Sequence, residues 1–182
     1  QELHQIAAHL IDPSCRLLTV VGPGGIGKTH LALQAALQMK AAHKKMPEAE
    51  QLFVNGACFV PLDALNSADF LAATIANALD FSFFSGDDQE DQLLSYLHDK
   101  HLLLLVDNLE HLIQETALLA KILANAPHVQ IVATSRERLN LRGEWVMELR
   151  GMACPPLETT VSVLEITAVS PIDPDTYDAV QL

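Results

Sequence analysis

Apolar runs of strand length alternate with stretches of helical spacing along most of this chain. Residues 1–11 set Leu3, Ile6, Ala7 and Leu10 on one helix face, a spacing that buries a stripe against a neighbour. Asp12-Pro13-Ser14 breaks that helix, and Leu17-Leu18-Thr19-Val20-Val21 follows as a buried strand. His30 to Ala42 is a broadly apolar helix through Leu31, Ala32, Ala35, Ala36 and Met39, closed after about His43 by Lys44, Lys45 and Pro47. Asn55-Gly56 marks a turn before a second strand at Ala57-Cys58-Phe59-Val60. Ser67-Ala68-Asp69 offers the N-terminal cap of a helix from Phe70 to Leu79.

Ser82 to Asp91 reads as an acidic surface loop, either a solvated stretch or a docking patch for a partner. A short helix is expected over Gln92–Lys100, and Leu102-Leu-Leu-Leu-Leu-Val106 then runs without alternation into Asp107. Such a run suits a strand covered on both faces, hence a parallel sheet with helices on either side. A helix over Leu109–Asn125, a strand over Val129–Ala133 and a last strand over Trp145–Leu149 complete the pattern. The expected fold is α/β, a three-layer αβα arrangement around a five-stranded, mainly parallel sheet. Residues 1–150 form the core; Pro155, Pro156, Pro171 and Pro174 interrupt the pattern beyond it, so 151–182 reads as a linker.

The loop after the first strand carries the chemistry. Gly22-Pro-Gly-Gly-Ile-Gly-Lys-Thr29 fits G-x-x-x-x-G-K-[ST] between a strand and a helix, the setting a phosphate cradle requires. Gly22, Gly24, Gly25 and Gly27 let backbone N–H groups approach phosphate, with Pro23 and Ile26 between them. The helix behind adds the positive end of its dipole. Lys28 would reach the β- and γ-phosphates, and the Thr29 hydroxyl would ligate Mg²⁺. His30 ends this cofactor-binding run, its ring read as local packing rather than as a ligand. Ligands of open α/β sheets sit at the carboxyl ends of strands. Asp107, at the end of the leucine strand, is therefore the candidate Mg²⁺ carboxylate, usually acting through water. A third strand end, Thr134-Ser135-Arg136, puts an arginine where it could meet a terminal phosphate, in charge-assisted bonds worth roughly 1.5–3 kcal/mol each. Arg136 could equally be a surface residue opening the next helix.

Composition narrows the partners. With 182 residues and 49% hydrophobic content, the chain has material for one globular core. A formal charge of −12 argues against direct contact between this segment and nucleic acid. Cys15, Cys58 and Cys154 lack zinc spacing and suggest no disulfide framework, and His111 has no metal-type partner. With no signal peptide and no apolar run of membrane-spanning length, a cytoplasmic setting is expected. A start at Gln1 without Met and an end at Leu182 in mid-pattern suggest a piece of a longer protein. No Asn-Lys-x-Asp sequence favours GTP, so the expected cofactors are ATP or ADP with Mg²⁺.

The glycine loop, Leu-Leu-Leu-Leu-Val-Asp-Asn-Leu-Glu-His-Leu (102–112) and Val-Ala-Thr-Ser-Arg-Glu-Arg-Leu-Asn-Leu-Arg-Gly-Glu-Trp (132–145), in that order, resemble the STAND class of signalling P-loop NTPases. They look closest to the NB-ARC-like ATPase domain of large bacterial transcriptional regulators, and more distantly are similar to apoptosome and plant resistance protein cores. The resemblance covers about residues 1–150. It implies that Lys28 is the phosphate lysine, Thr29 and Asp107 the Mg²⁺ residues, and Arg136 a sensor that tells triphosphate from diphosphate. It further implies a switch between an ADP-bound resting state and an ATP-bound, self-associating active state, with effector and output domains appended. Many relatives carry a second acidic residue after the metal aspartate; here that position is Asn108. Glu110 is then the candidate base, or an early-helix acid helped by the dipole. The Gly-Arg-Glu motif upstream and the helical and winged-helix signatures downstream are not in this chain, which leaves the adenine side of the pocket incomplete. A slow ATP/ADP switch is the leading expectation. An active ATPase, a small-molecule phosphoryl transferase and a scaffold retaining ADP are the alternatives.

Overall fold

The computed structural model describes residues 2–43, 52–65, 67–86, 88–112 and 116–150. In chain order the elements are α1 (Glu2–Ile11), β1 (Leu17–Val21), α2 (Lys28–His43), β2 (Ala57–Pro61), α3 (Leu71–Ala78), α4 (Gln89–Leu97), β3 (Leu102–Asp107), α5 (Ala117–Asn125), β4 (Val129–Ser135) and β5 (Glu144–Glu148). The strands form one sheet in the order β2-β3-β4-β1-β5, and every pairing is parallel. The α/β class and the five-stranded sheet expected from the sequence are present, and the sheet, expected to be mainly parallel, is parallel at every described pairing.

Residue parity explains how an unalternating sequence builds three layers. Successive strand side chains face opposite sides, so β3 sends Leu102, Leu104 and Val106 to one face and Leu103 and Leu105 to the other. The first set packs under α3, α4 and α5 through Ile75, Leu93, Leu97 and Leu119. The second packs under α1 and α2 through Ile6, Leu10, Ala32, Ala35 and Met39. Ala32, Ala35, Ala36 and Met39 follow the spacing of one helix face, and small side chains on that face let α2 lie close to the sheet.

Several element ends shift by one or two residues from the sequence reading, and three departures have a local reason. The helix expected over Gln92–Lys100 instead runs from Gln89 to Leu97. Asp88 caps it by accepting from the N–H groups of Glu90 and Asp91, and those two acids then sit favourably in its first turn. The end of the acidic loop, from Asp88 on, is thus a helix start, and Glu90 also pairs with Lys121 of α5. The helix expected over Leu109–Asn125 is not continuous. Asn108 adopts a left-handed φ of 67° that opens a 3₁₀ turn at Leu109–His111, and α5 begins only at Ala117. Ser67 caps a 3₁₀ turn at Ala68–Phe70, accepting from the Asp69 N–H, rather than α3 itself. The closing residues Lys44, Lys45 and Pro47, Asp87, the side chain of His111, Cys154 and the linker read over 151–182 lie outside the described residues.

Arg16, unremarked in the sequence, ties the bottom of the sheet together. Its guanidinium donates to the carbonyls of Ala126 (2.6 Å) and Val129 (2.8 Å), joining the end of α5 to the start of β4. Arg16→Ala should leave those carbonyls without this donor and lower the unfolding free energy by about 1.5–3 kcal/mol in a urea titration, with an unchanged slope.

Candidate functional site

Because all five strands run parallel, their carboxyl ends lie along one edge of the sheet. Insertion of β4 between β1 and β3 brings the third polar strand end between the other two. The loop leaving β1 is pinned on both sides: the Gly22 N–H donates to Ser135 O (3.3 Å), and Leu149 N–H donates to Val21 O (2.8 Å). A Cβ at Gly22 would stand 3.0 Å from the Leu149 carbonyl oxygen, so a side chain there must displace backbone. Gly27 takes φ +95°, a conformation strained for any other residue, as it turns the chain into α2. Its carbonyl accepts from Leu31 N–H as one of the first bonds of that helix. Ile26 is half-buried against the α1–α2 cluster and anchors the loop, while Pro23, Gly24 and Gly25 are exposed.

The side chains behind the loop are already engaged with it. Lys28 Nζ folds back and donates to the carbonyls of Gly22 (2.9 Å) and Pro23 (3.0 Å). The Thr29 hydroxyl donates to Asp107 Oδ1 at 2.6 Å, and the Thr134 hydroxyl donates to the same oxygen at 2.5 Å. Thr134 Oγ1 in turn accepts from the Asn108 N–H (3.0 Å), which fixes the start of the turn after β3. Farther along the edge, Arg136 Nε lies 3.0 Å from Glu110 Oε1. The Glu110 side chain is only 12% exposed and that of Arg136 is 65% exposed. The Arg136 guanidinium also lies over Gly24, its Nη2 3.6 Å from the point a Cβ there would occupy.

The sequence-predicted residues Lys28, Thr29, Asp107, Glu110 and Arg136 are thus gathered around one loop. His30 is exposed on the first turn of α2, so the packing expected of its ring is not present. Between Arg136 and β5 the described residues form no helix: Glu144 accepts from the N–H groups of Leu139 and Asn140 (both 2.8 Å) and holds that segment as a loop. Thr134 received no role in the sequence reading. Its signal was the parity of β4, visible only once β4 is known to lie beside β3 with Val106 opposite Ala133.

The oxygen set tests the expected metal. A hydroxyl and a carboxylate oxygen 2.6 Å apart are hard donors on one side of a site. Mg²⁺ takes one or two protein oxygens of this kind and fills its remaining positions with water and phosphate. Among the described residues no group of three or more His, Cys, Asp or Glu forms a self-sufficient metal cage. The residues present fit Mg²⁺ bound together with a phosphate ligand.

Comparisons with known proteins give the lineage. Over 139 residues the chain is 34% identical to a Mycobacterium tuberculosis protein that carries the name, and no more than the name, of an HTH-type transcriptional regulator; this covers 76% of the chain and 14% of that protein. Over 166 residues it is 31% identical to an uncharacterized M. tuberculosis protein, covering 91% of the chain and 38% of the relative. The chain therefore spans well under half of either relative. Its fold is similar to that of a STAND protein with a tetratricopeptide repeat sensor from Pyrococcus horikoshii, with TM-score 0.54, 16% identity, and 84% of this chain and 23% of that one covered. It is similar also to Cdc6p from Pyrobaculum aerophilum, with TM-score 0.52, 18% identity, and 81% and 44% covered. At such identities the likeness is one of fold. Among the described residues no helix is long and apolar enough to cross a membrane. The AAA domain family model matches residues 11–141, from the end of α1 through β4, and the chain belongs to that family.

Proposed function

We propose that this chain is the nucleotide-binding core of a larger regulatory protein, an ATP/ADP switch of the STAND type with an NB-ARC-like site and slow hydrolysis. The observation that carries this reading is the convergence of Lys28, Thr29–Asp107 and Arg136 on one glycine loop. Phosphate oxygens are stronger acceptors than the Gly22 and Pro23 carbonyls, so Lys28 exchanges those bonds for charge-assisted ones to the β- and γ-phosphates. Thr29 and Asp107 would hold Mg²⁺, which would supply positive charge to neutralise the phosphates. Arg136, over Gly24, meets a γ-phosphate that ADP lacks. That differential contact is what a ligand needs to shift a two-state equilibrium.

Hydrolysis is slow in this reading. Asn108 carries an amide where the STAND resemblance implies a second acid, and Glu110 is engaged by Arg136. The name of the mycobacterial relative supports a role in transcription, with effector and output domains outside this segment and self-association in the ATP-bound state.

Calorimetric titration with ADP, and with ATP plus Mg²⁺, tests the reading. Lys28→Ala should weaken both nucleotides by about 100-fold or more. Retention of wild-type affinity would remove the site from the loop. In the full-length protein Arg136→Ala should weaken ATP by about tenfold while leaving ADP nearly unchanged. Equal affinities for the two nucleotides, unaffected by that substitution, would sink the switch.

A further inference from the structure

We propose that Glu110 is a positioning residue: it holds the Arg136 guanidinium over the phosphate loop and thereby sets the preference for triphosphate over diphosphate. The inference rests on the nucleotide-switch reading and adds to it a residue that never touches the nucleotide. Arg136 is mostly exposed, and an exposed arginine with no fixed partner spreads over many rotamers. Glu110 is nearly buried and is itself held in place. It sits in the 3₁₀ turn that follows the left-handed Asn108, whose N–H is bonded to Thr134 Oγ1. Thr134 is hydrogen-bonded in turn to Asp107, so the carboxylate stands on the same framework as the candidate metal residue.

The edge of the guanidinium that Glu110 takes is the informative detail. The contact is to Nε at 3.0 Å, while Nη2, Cζ and Nε stand 3.6, 3.8 and 3.9 Å from the point a Gly24 Cβ would occupy, so the guanidinium lies face-on over the loop. A carboxylate on the Nε side leaves Nη donors for a second acceptor. Glu110 therefore fixes the guanidinium over the loop and leaves Nη donors for a further acceptor. This also accounts for a nearly buried acid beside a phosphate site: without the cation it would be an uncompensated charge.

The test measures binding of ADP and of a slowly hydrolysed ATP analogue with Mg²⁺, in the full-length protein carrying Glu110→Ala, Glu110→Gln, Arg136→Ala or the Glu110/Arg136 double alanine substitution. Glu110→Ala should lose about tenfold of the triphosphate preference, matching Arg136→Ala. Glu110→Gln, whose amide oxygen still accepts from Nε–H, should keep most of it, and the double variant should equal Arg136→Ala. If alanine prevents folding, Glu110→Asp, one methylene too short to reach Nε, reads the same loss. A nucleotide-free ¹⁵N spectrum adds a second readout, a slowly exchanging Arg136 Nε–H present in wild type and Glu110→Gln and absent in Glu110→Ala. Wild-type preference in Glu110→Ala, or a further loss of preference when it is added to Arg136→Ala, overturns the positioning role and leaves the switch standing. Wild-type preference in Arg136→Ala overturns both.

Discussion

One oxygen atom, Asp107 Oδ1, holds the functional edge together. It accepts a hydrogen bond from Thr29 at the start of α2 and another from Thr134 at the end of β4, while its own residue ends β3. A half-buried carboxylate is costly unless it accepts hydrogen bonds, and two hydroxyl donors engage this oxygen. The convergence depends on the strand order, since β4 must lie beside β3 for its hydroxyl to reach both the β3 carboxylate and the Asn108 N–H.

The helices and core give that atom a fixed address. α1 and α2 cover one sheet face, and α3, α4 and α5 cover the other. Each strand of the central trio is buried along nearly its whole length, so a slip of one residue would put Leu103 and Leu105 against the wrong layer. The register that follows places Asp107 beside Thr134 and Val21 beside Ser135. The close packing of the sheet is thus what makes the spacing of a few polar groups reproducible.

The layers, the glycine loop and the gathering of Lys28, Thr29, Asp107 and Arg136 were legible in the sequence, because each rests on a local pattern. The five-leucine run names a doubly covered strand, and the loop names its own turn. What the sequence hid is what depends on contacts between distant segments. The start of α4 moved because the Asp88 cap outweighed the loop-like composition around it. The turn after β3 broke because Asn108 accepts a left-handed backbone that spacing cannot reveal. Arg16 and Thr134 act only through partners far away in sequence, at Val129 and Asp107 respectively.

β2 forms one margin of the described sheet, and its last residue is Pro61. The Gly56 carbonyl and the Leu62 N–H both bond to β3. By the alternation of a parallel ladder, the odd-numbered residues between them turn their backbone groups outward. Pro61 belongs to that outward set, so the missing N–H costs the sheet nothing internally and deprives a stray strand of a docking point. A margin only five residues long that ends in proline is a poor template for another chain. The sheet can therefore keep an unusually apolar interior and still resist edge-to-edge aggregation at this side.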